Sequence, residues 1–277
     1  MRVVVRTPSS RGHLSRRLLL TGIMVIASTL RAPITGVAPV LGMIRETTRI
    51  NAAQAGILTT LPLVAFAAIS PFAAMLARKY GMERSLFGAL LLITAGVGLR
   101  SVGPVWGLFL GTAILGAGIA VANVLLPSLL KRDFSTRITG LTGAYAFASG
   151  LVSAVASAAV IPVAHLPGSS WRLALASVSI FPLVALVAWL PQLWLHSAPT
   201  QDVVIGPHGG PIWQSPLAWQ VTAFLGLTSL VYYVVVSWIP TILVAAGYPA
   251  ATAGSLQGLS QLAVAVPGLM LGPAVGV

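Results

Sequence analysis

Leu18-Leu19-Leu20-Thr21-Gly22-Ile23-Met24-Val25-Ile26-Ala27-Ser28-Thr29-Leu30-Arg31-Ala32-Pro33-Ile34-Thr35, continued as apolar sequence to Ile44, decides the fold. A helix needs about 20 consecutive apolar residues to cross roughly 30 Å of hydrocarbon, and this run supplies them. One residue interrupts it: Arg31 stands near the middle. A charge at bilayer depth costs roughly 2.5–3.5 kcal/mol even on the lenient insertion scale, so a membrane chain keeps one where a partner or solute neutralises it. Arg31 is therefore the leading candidate site residue.

The rest of the chain agrees with that solvent. Hydrophobic residues make up 57% and charged residues 7% of the 277 positions, and the mean hydropathy is +0.94. A soluble domain cannot cover its surface from such a composition. The net charge of +12 does not point to nucleic acid, because the basic residues fall in short clusters between apolar runs, which suits lipid headgroups. With no cysteine, disulfide frameworks and thiol chemistry are excluded, and stability must come from helix packing.

Further apolar runs place eight spans near residues 18–43, 54–76, 85–103, 105–129, 138–163, 172–194, 217–244 and 253–277. The runs are continuously apolar, whereas barrel strands would alternate, so the expected fold class is all-α, a polytopic membrane helix bundle. Eleven basic residues (Arg2, Arg6, Arg11, Arg16, Arg17, Arg78, Lys79, Arg84, Lys131, Arg132 and Arg137) fall on the side of the N-terminus, against Arg45, Arg49, Arg100 and Arg172 on the other. Basic loops stay inside, so the N-terminus is expected in the cytoplasm and the chain in the cytoplasmic membrane. A cleaved targeting peptide fits residues 1–44 poorly: the apolar run is too long for a signal and contains Arg31.

The chain also repeats. Ala52-Ala53-Gln54-Ala55-Gly56-Ile57-Leu58 recurs as Ala250-Ala251-Thr252-Ala253-Gly254-Ser255-Leu256, at an offset of 198 residues. Each copy follows a span with a proline near its end, Pro39 and Pro240. Parallel repeats of this kind build many secondary transporters. The expected organisation is a cytoplasmic tail over 1–17, a six-helix bundle over 18–194, a cytoplasmic linker over 195–216 rich in Pro and Gly, and the first two helices of an incomplete second bundle over 217–277.

These residues carry a resemblance. Leu30-Arg31-Ala32-Pro33, Leu58-Thr59-Thr60-Leu61-Pro62-Leu63, Arg78-Lys79-Tyr80-Gly81-Met82-Glu83-Arg84, Ala122-Asn123-Val124-Leu125-Leu126-Pro127 with Lys131-Arg132-Asp133, Trp171-Arg172-Leu173 and Trp238-Ile239-Pro240 resemble the major facilitator superfamily, and within it the cyanate and nitroimidazole permease branch. The resemblance implies twelve spans, of which about eight are present, and a charged gate formed by Arg78, Lys79, Gly81, Glu83 and Arg84 with Lys131, Arg132 and Asp133. The superfamily's pattern has an acid where Arg78 stands, which leaves Glu83 to supply that charge from a shifted position. It also implies a substrate such as a cyanate-like anion or a nitroaromatic heterocycle.

Polar residues within the spans recur at helical spacing. Thr21, Ser28, Arg31 and Thr35 share one stripe of the first span. Gly116, Asn123 and Pro127 share one on the fourth, and Thr142, Tyr145 and Ser149 one on the fifth. Thr222, Ser229, Tyr232 and Tyr233 cluster on the seventh, and Gln257 and Gln261 lie one turn apart on the eighth. Membrane Ser and Thr usually bond their own backbone or glue helices, so the candidates for substrate contact are Arg31, Asn123, Tyr145, Tyr232, Tyr233, Gln257 and Gln261. Trp106, Trp171 and Trp238 are expected at interface depth.

All four acids, Glu46, Glu83, Asp133 and Asp202, fall in loops or at helix ends. A fixed positive Arg31 without an acidic partner favours an anionic or electron-rich solute that brings the counter-charge itself. No metal-ligand spacing joins His13, His165, His196 and His208, and no nucleophile and base share a depth, so neither enzyme, metal nor cofactor is expected. Three readings stay open: a solute transporter partnered by a small molecule and the bilayer, a shortened polypeptide that does not transport, and a multidrug exporter of the same fold.

Overall fold

A computed structural model describes residues 10–134, 138–195 and 215–274. Eleven helices follow in order: α1 (Ser10–Thr29), α2 (Ala32–Thr35), α3 (Val37–Thr48), α4 (Ala52–Tyr80), α5 (Met82–Val102), α6 (Val105–Asp133), α7 (Ile138–Ala164), α8 (Trp171–Ser177), α9 (Ile180–Leu195), α10 (Pro216–Ala245) and α11 (Ala250–Ala274). Among the described residues seven stretches are long and apolar enough to cross a membrane: Leu18–Thr48, Ala52–Tyr80, Met82–Val102, Val105–Asp133, Ile138–Ala164, Trp171–Trp194 and Pro216–Ala245. The stretch expected as an eighth span forms the helix α11, which is not among these seven.

Two spans are broken, and proline explains both. Pro33 has no N–H to give to the Thr29 carbonyl, and it disfavours helical geometry at the residue before it; α1 ends at Thr29 and the four-residue α2 begins at Ala32. Pro182 does the same to the sixth span, which divides between Ser177 and Ile180. The breaks meet: Ala32 and Val178 are buried together with Ala156 of α7, and Val152 and Phe181 pack against them. The hydroxyl of Thr35 lies 2.8 Å from that of Ser153, fixing α2 to α7.

Between helices in lipid, close approach replaces the hydrophobic drive, and small residues permit it. A Cβ at Gly96 would stand 2.6 Å from the Gly111 carbonyl, and one at Gly118 would stand 2.5 Å from the Ala89 carbonyl, so α5 and α6 touch backbone to backbone. Gly254 and Gly258 bring α11 onto Ser157 and Ala154 of α7 in the same way. Around these contacts Ile23, Ile26, Leu90, Ile93, Leu115 and Trp189 form the main core. Both copies of the sequence repeat open a helix, α4 at Ala52 and α11 at Ala250. Asn51 and Gln54 start α4 with a reciprocal capping box, 2.9 Å each way.

The last two helices differ in packing: 11% of the most apolar window of α10 is buried, whereas the glycine contacts seat α11 against α7. Trp171 departs from the interface expectation: it is 3% exposed and packs in the core, while Trp106 and Trp238 are exposed.

Candidate functional site

The break at Pro33 sets the geometry of the site. Arg31 sits in the gap before α2, half-buried, and its carbonyl accepts the N–H groups of Ile34 and Thr35 at 3.0 Å each. The guanidinium carbon lies 5.1 Å from the centroid of the Tyr232 ring on α10, a cation–π contact between the first span and α10. The Tyr232 hydroxyl donates to Gln261 Oε1 of α11 at 2.6 Å. Tyr233 stacks edge-on against Tyr232, with centroids 5.1 Å apart, and against Phe66 of α4 at 6.2 Å. Tyr145 of α7 and Tyr233 lie within Coulombic range of the guanidinium. None of the described carboxylates, Glu46, Glu83 and Asp133, pairs with Arg31.

Arg31, Tyr145, Tyr232, Tyr233 and Gln261 thus converge from four spans. The other two candidates stand differently. Gln257 is buried and donates through Nε2 to the Val236 carbonyl at 2.8 Å, tying α11 to α10. Asn123 is half-buried on α6 and makes no hydrogen bond among the described residues. Of the α10 hydroxyls, Thr222 is exposed and bonds its own helix at the Ala218 carbonyl. Ser229 is exposed as well.

Two residues were missed. Phe66 reads in sequence as one more apolar residue of a span, and only the fold shows it against Tyr233. Arg100, which the sequence counts among the basic residues of the outer side at the end of the third span, lies in the last turn of α5 but is 1% exposed, and its Nη1 donates to the Pro33 carbonyl at 2.6 Å. Its sequence neighbours Ser101-Val102-Gly103-Pro104 look like a loop; a contact 67 residues away buries it.

At the opposite end of α5 stands the charged cluster. Gly81, at φ 87°, turns the chain from α4 into α5 in a conformation only glycine adopts freely. Glu83 follows in the first turn of α5, 0% exposed, where the helix dipole favours its charge. Arg132 at the end of α6 pairs with it, Nη2 to Oε1 at 2.6 Å, and with Asp133 at 2.9 Å. The Trp189 indole N–H donates to the Glu83 carbonyl at 3.0 Å from α9. Arg78, Lys79, Arg84 and Lys131 are exposed around this pair. Among the described residues no group of three or more His, Asp or Glu side chains is arranged to hold a metal ion.

Comparison with known proteins fits this geometry. The profile of the Major Facilitator Superfamily matches residues 19–276. The chain is 53% identical over 257 residues to the 2-nitroimidazole transporter of Escherichia coli (strain K12), which covers 93% of this chain and 65% of the relative. It is 28% identical to the cyanate transport protein CynX of the same organism, over 91% of this chain and 65% of the relative. The chain therefore spans 65% of the length of each. A crystal structure of a D-xylose–proton symporter superposes with a TM-score of 0.60 at 16% identity, covering 93% of this chain and 67% of that one, and shows the shared fold.

Proposed function

Since the chain belongs to the Major Facilitator Superfamily, we propose that it carries a small anionic or electron-rich polar solute, cyanate-like or nitroimidazole-like, across the cytoplasmic membrane by alternating access, with its N-terminus in the cytoplasm. Its relatives are transporters and not enzymes, and the similarity to a 2-nitroimidazole transporter and a cyanate transport protein supports this substrate class. The residues 18–194 and 217–277 act as the two units that rock against each other around a mid-membrane site, joined by the linker 195–216, most of which lies outside the described residues.

One observation carries the reading. Arg31 stands at a helix break, unpaired with any described carboxylate, and faces a ring of the opposite unit. A guanidinium in that position attracts a negative or electron-rich group, and its planar fork orients one. Tyr232, Tyr233, Tyr145 and Phe66 offer aromatic faces for a flat solute, Gln261 offers an amide, and Asn123 and Gln257 complete the proposed lining. Arg78, Lys79, Gly81, Glu83, Arg84, Lys131, Arg132 and Asp133 serve as the inner gate, whose Glu83–Arg132 pair must part when that side opens.

The test is uptake of labelled 2-nitroimidazole and cyanate by cells expressing the chain. Arg31→Ala is expected to reduce uptake about a hundredfold, and Arg31→Lys to rescue it only in small part, because an ammonium keeps the charge and loses the bidentate fork. Uptake that survives both substitutions removes Arg31 from the site.

A further inference from the structure

Arg100 is an expensive residue for a helix staple. A buried guanidinium carries five N–H donors, and each left unmatched by the protein loses its share of hydration. Nη1 is spoken for by the Pro33 carbonyl at 2.6 Å. Nε and Nη2 are fully buried and have no hydrogen-bond partner. Those two nitrogens share one side of the guanidinium plane, the side that meets a carboxylate-type group with two parallel hydrogen bonds. A structural staple needs one donor; here a whole paired edge is held in place and left open.

The same residue lines a cavity. Arg100 lines it with Pro33, Thr59 and Thr112 from the first unit, and Val236 and Ser237 of α10 close it from the second. Its free volume is about 20 Å³, room for a group the size of a water molecule. A larger group needs one of the lining helices to move. The two arginines also address the same break in the first span: Arg31 precedes Pro33 by two residues, and Arg100 holds its carbonyl.

We infer that Arg100 and the cavity it lines form a second recognition point for the solute, selective for a planar group with two acceptor oxygens, such as a nitro, nitrate or carboxylate group, and formed fully only as α10 withdraws. The inference rests on the proposed solute path, of which Arg31 is the other fixed point. A linear anion engages one donor of the edge, whereas a planar two-oxygen group engages both. Charge alone does not make that distinction.

The experiment is titration calorimetry on the full chain in lipid nanodiscs, with nitrate as the planar probe and thiocyanate as the linear one. It compares the wild type with Arg100→Lys, which keeps charge without the paired edge, and Arg100→Gln, which keeps a donor for the Pro33 carbonyl. Each is also measured in the Arg31→Ala background, so that binding at the two arginines separates. Nitrate is expected to bind the wild type, and to lose roughly tenfold in affinity in both Arg100 variants, while thiocyanate binding to Arg100→Lys changes little. The ligand-free melting temperatures are expected to stay close to that of the wild type. Nitrate affinity that is unchanged in Arg100→Lys, absent in the wild type, or lost only in proportion to a fallen melting temperature overturns the inference. Uptake unaffected by Arg31→Ala would remove the Arg31 site and leave the nitrate result at Arg100 standing.

Discussion

Removing Arg132 and removing Glu83 are expected to have unequal effects, although they form one ion pair. The Glu83 side chain is 1% exposed and that of Arg132 is 31% exposed. Arg132→Ala leaves a carboxylate in a dry environment with no counter-charge, which destabilises by about 3 kcal/mol. Glu83→Gln leaves an arginine that water and Asp133 still satisfy, and about 1 kcal/mol is expected. Denaturant titration in detergent checks the order of the two, and equal losses would show that the burial difference is immaterial. The same asymmetry explains what the sequence could show at this scale. Arg31 announced itself, because a charge inside an apolar run is anomalous on local grounds alone. Arg100 did not: it sits four residues before a proline at the end of a run, and only its contact with the Pro33 carbonyl puts it indoors. Glu83 was legible as a spare acid, while its partner 49 residues on was one of several basic residues near it.

At the scale of elements, glycine separates packing from propensity. A Cβ at Gly111 would stand 2.5 Å from the Arg100 backbone nitrogen, whereas one at Gly88 meets nothing within 4 Å. Gly111→Ala must push α5 and α6 apart and is expected to destabilise by about 1–3 kcal/mol. Gly88→Ala on the neighbouring helix is expected to stabilise by about 0.5–1 kcal/mol, since it only removes backbone freedom. Thermal unfolding in detergent distinguishes them, and a stabilising Gly111→Ala would mean that the helices are not in backbone contact. Spans were readable because length and apolarity are summed over many residues, so no single position decides them. Breaks were not, although Pro33 and Pro182 were in plain view, because a proline in a membrane helix kinks it or severs it according to what the neighbouring helices offer the freed backbone groups. Here the two breaks pack against each other, Ala32 against Val178, and Arg100 bonds the Pro33 carbonyl.

For the molecule as a whole, the distribution of charge predicts an orientation with the N-terminus inside, and the absence of cysteine makes it measurable. Thr47 is exposed at the end of α3, on the side with few basic residues, and its hydroxyl bonds only its own helix. Thr47→Cys is expected to react with a membrane-impermeant maleimide in intact cells, and Ser9→Cys only after the membrane is opened. The reverse pattern would invert the topology. The contact between Arg31 and Tyr232 bears on the whole cycle. Under the proposed role of Arg31, an arriving solute meets a cation already engaged by an intramolecular placeholder, worth about 1 kcal/mol at this half-buried site, and its affinity is weakened roughly fivefold relative to a bare guanidinium. That handicap would be useful to a carrier: the tyrosine that resists loading would be the same group that reclaims the arginine as the cargo leaves.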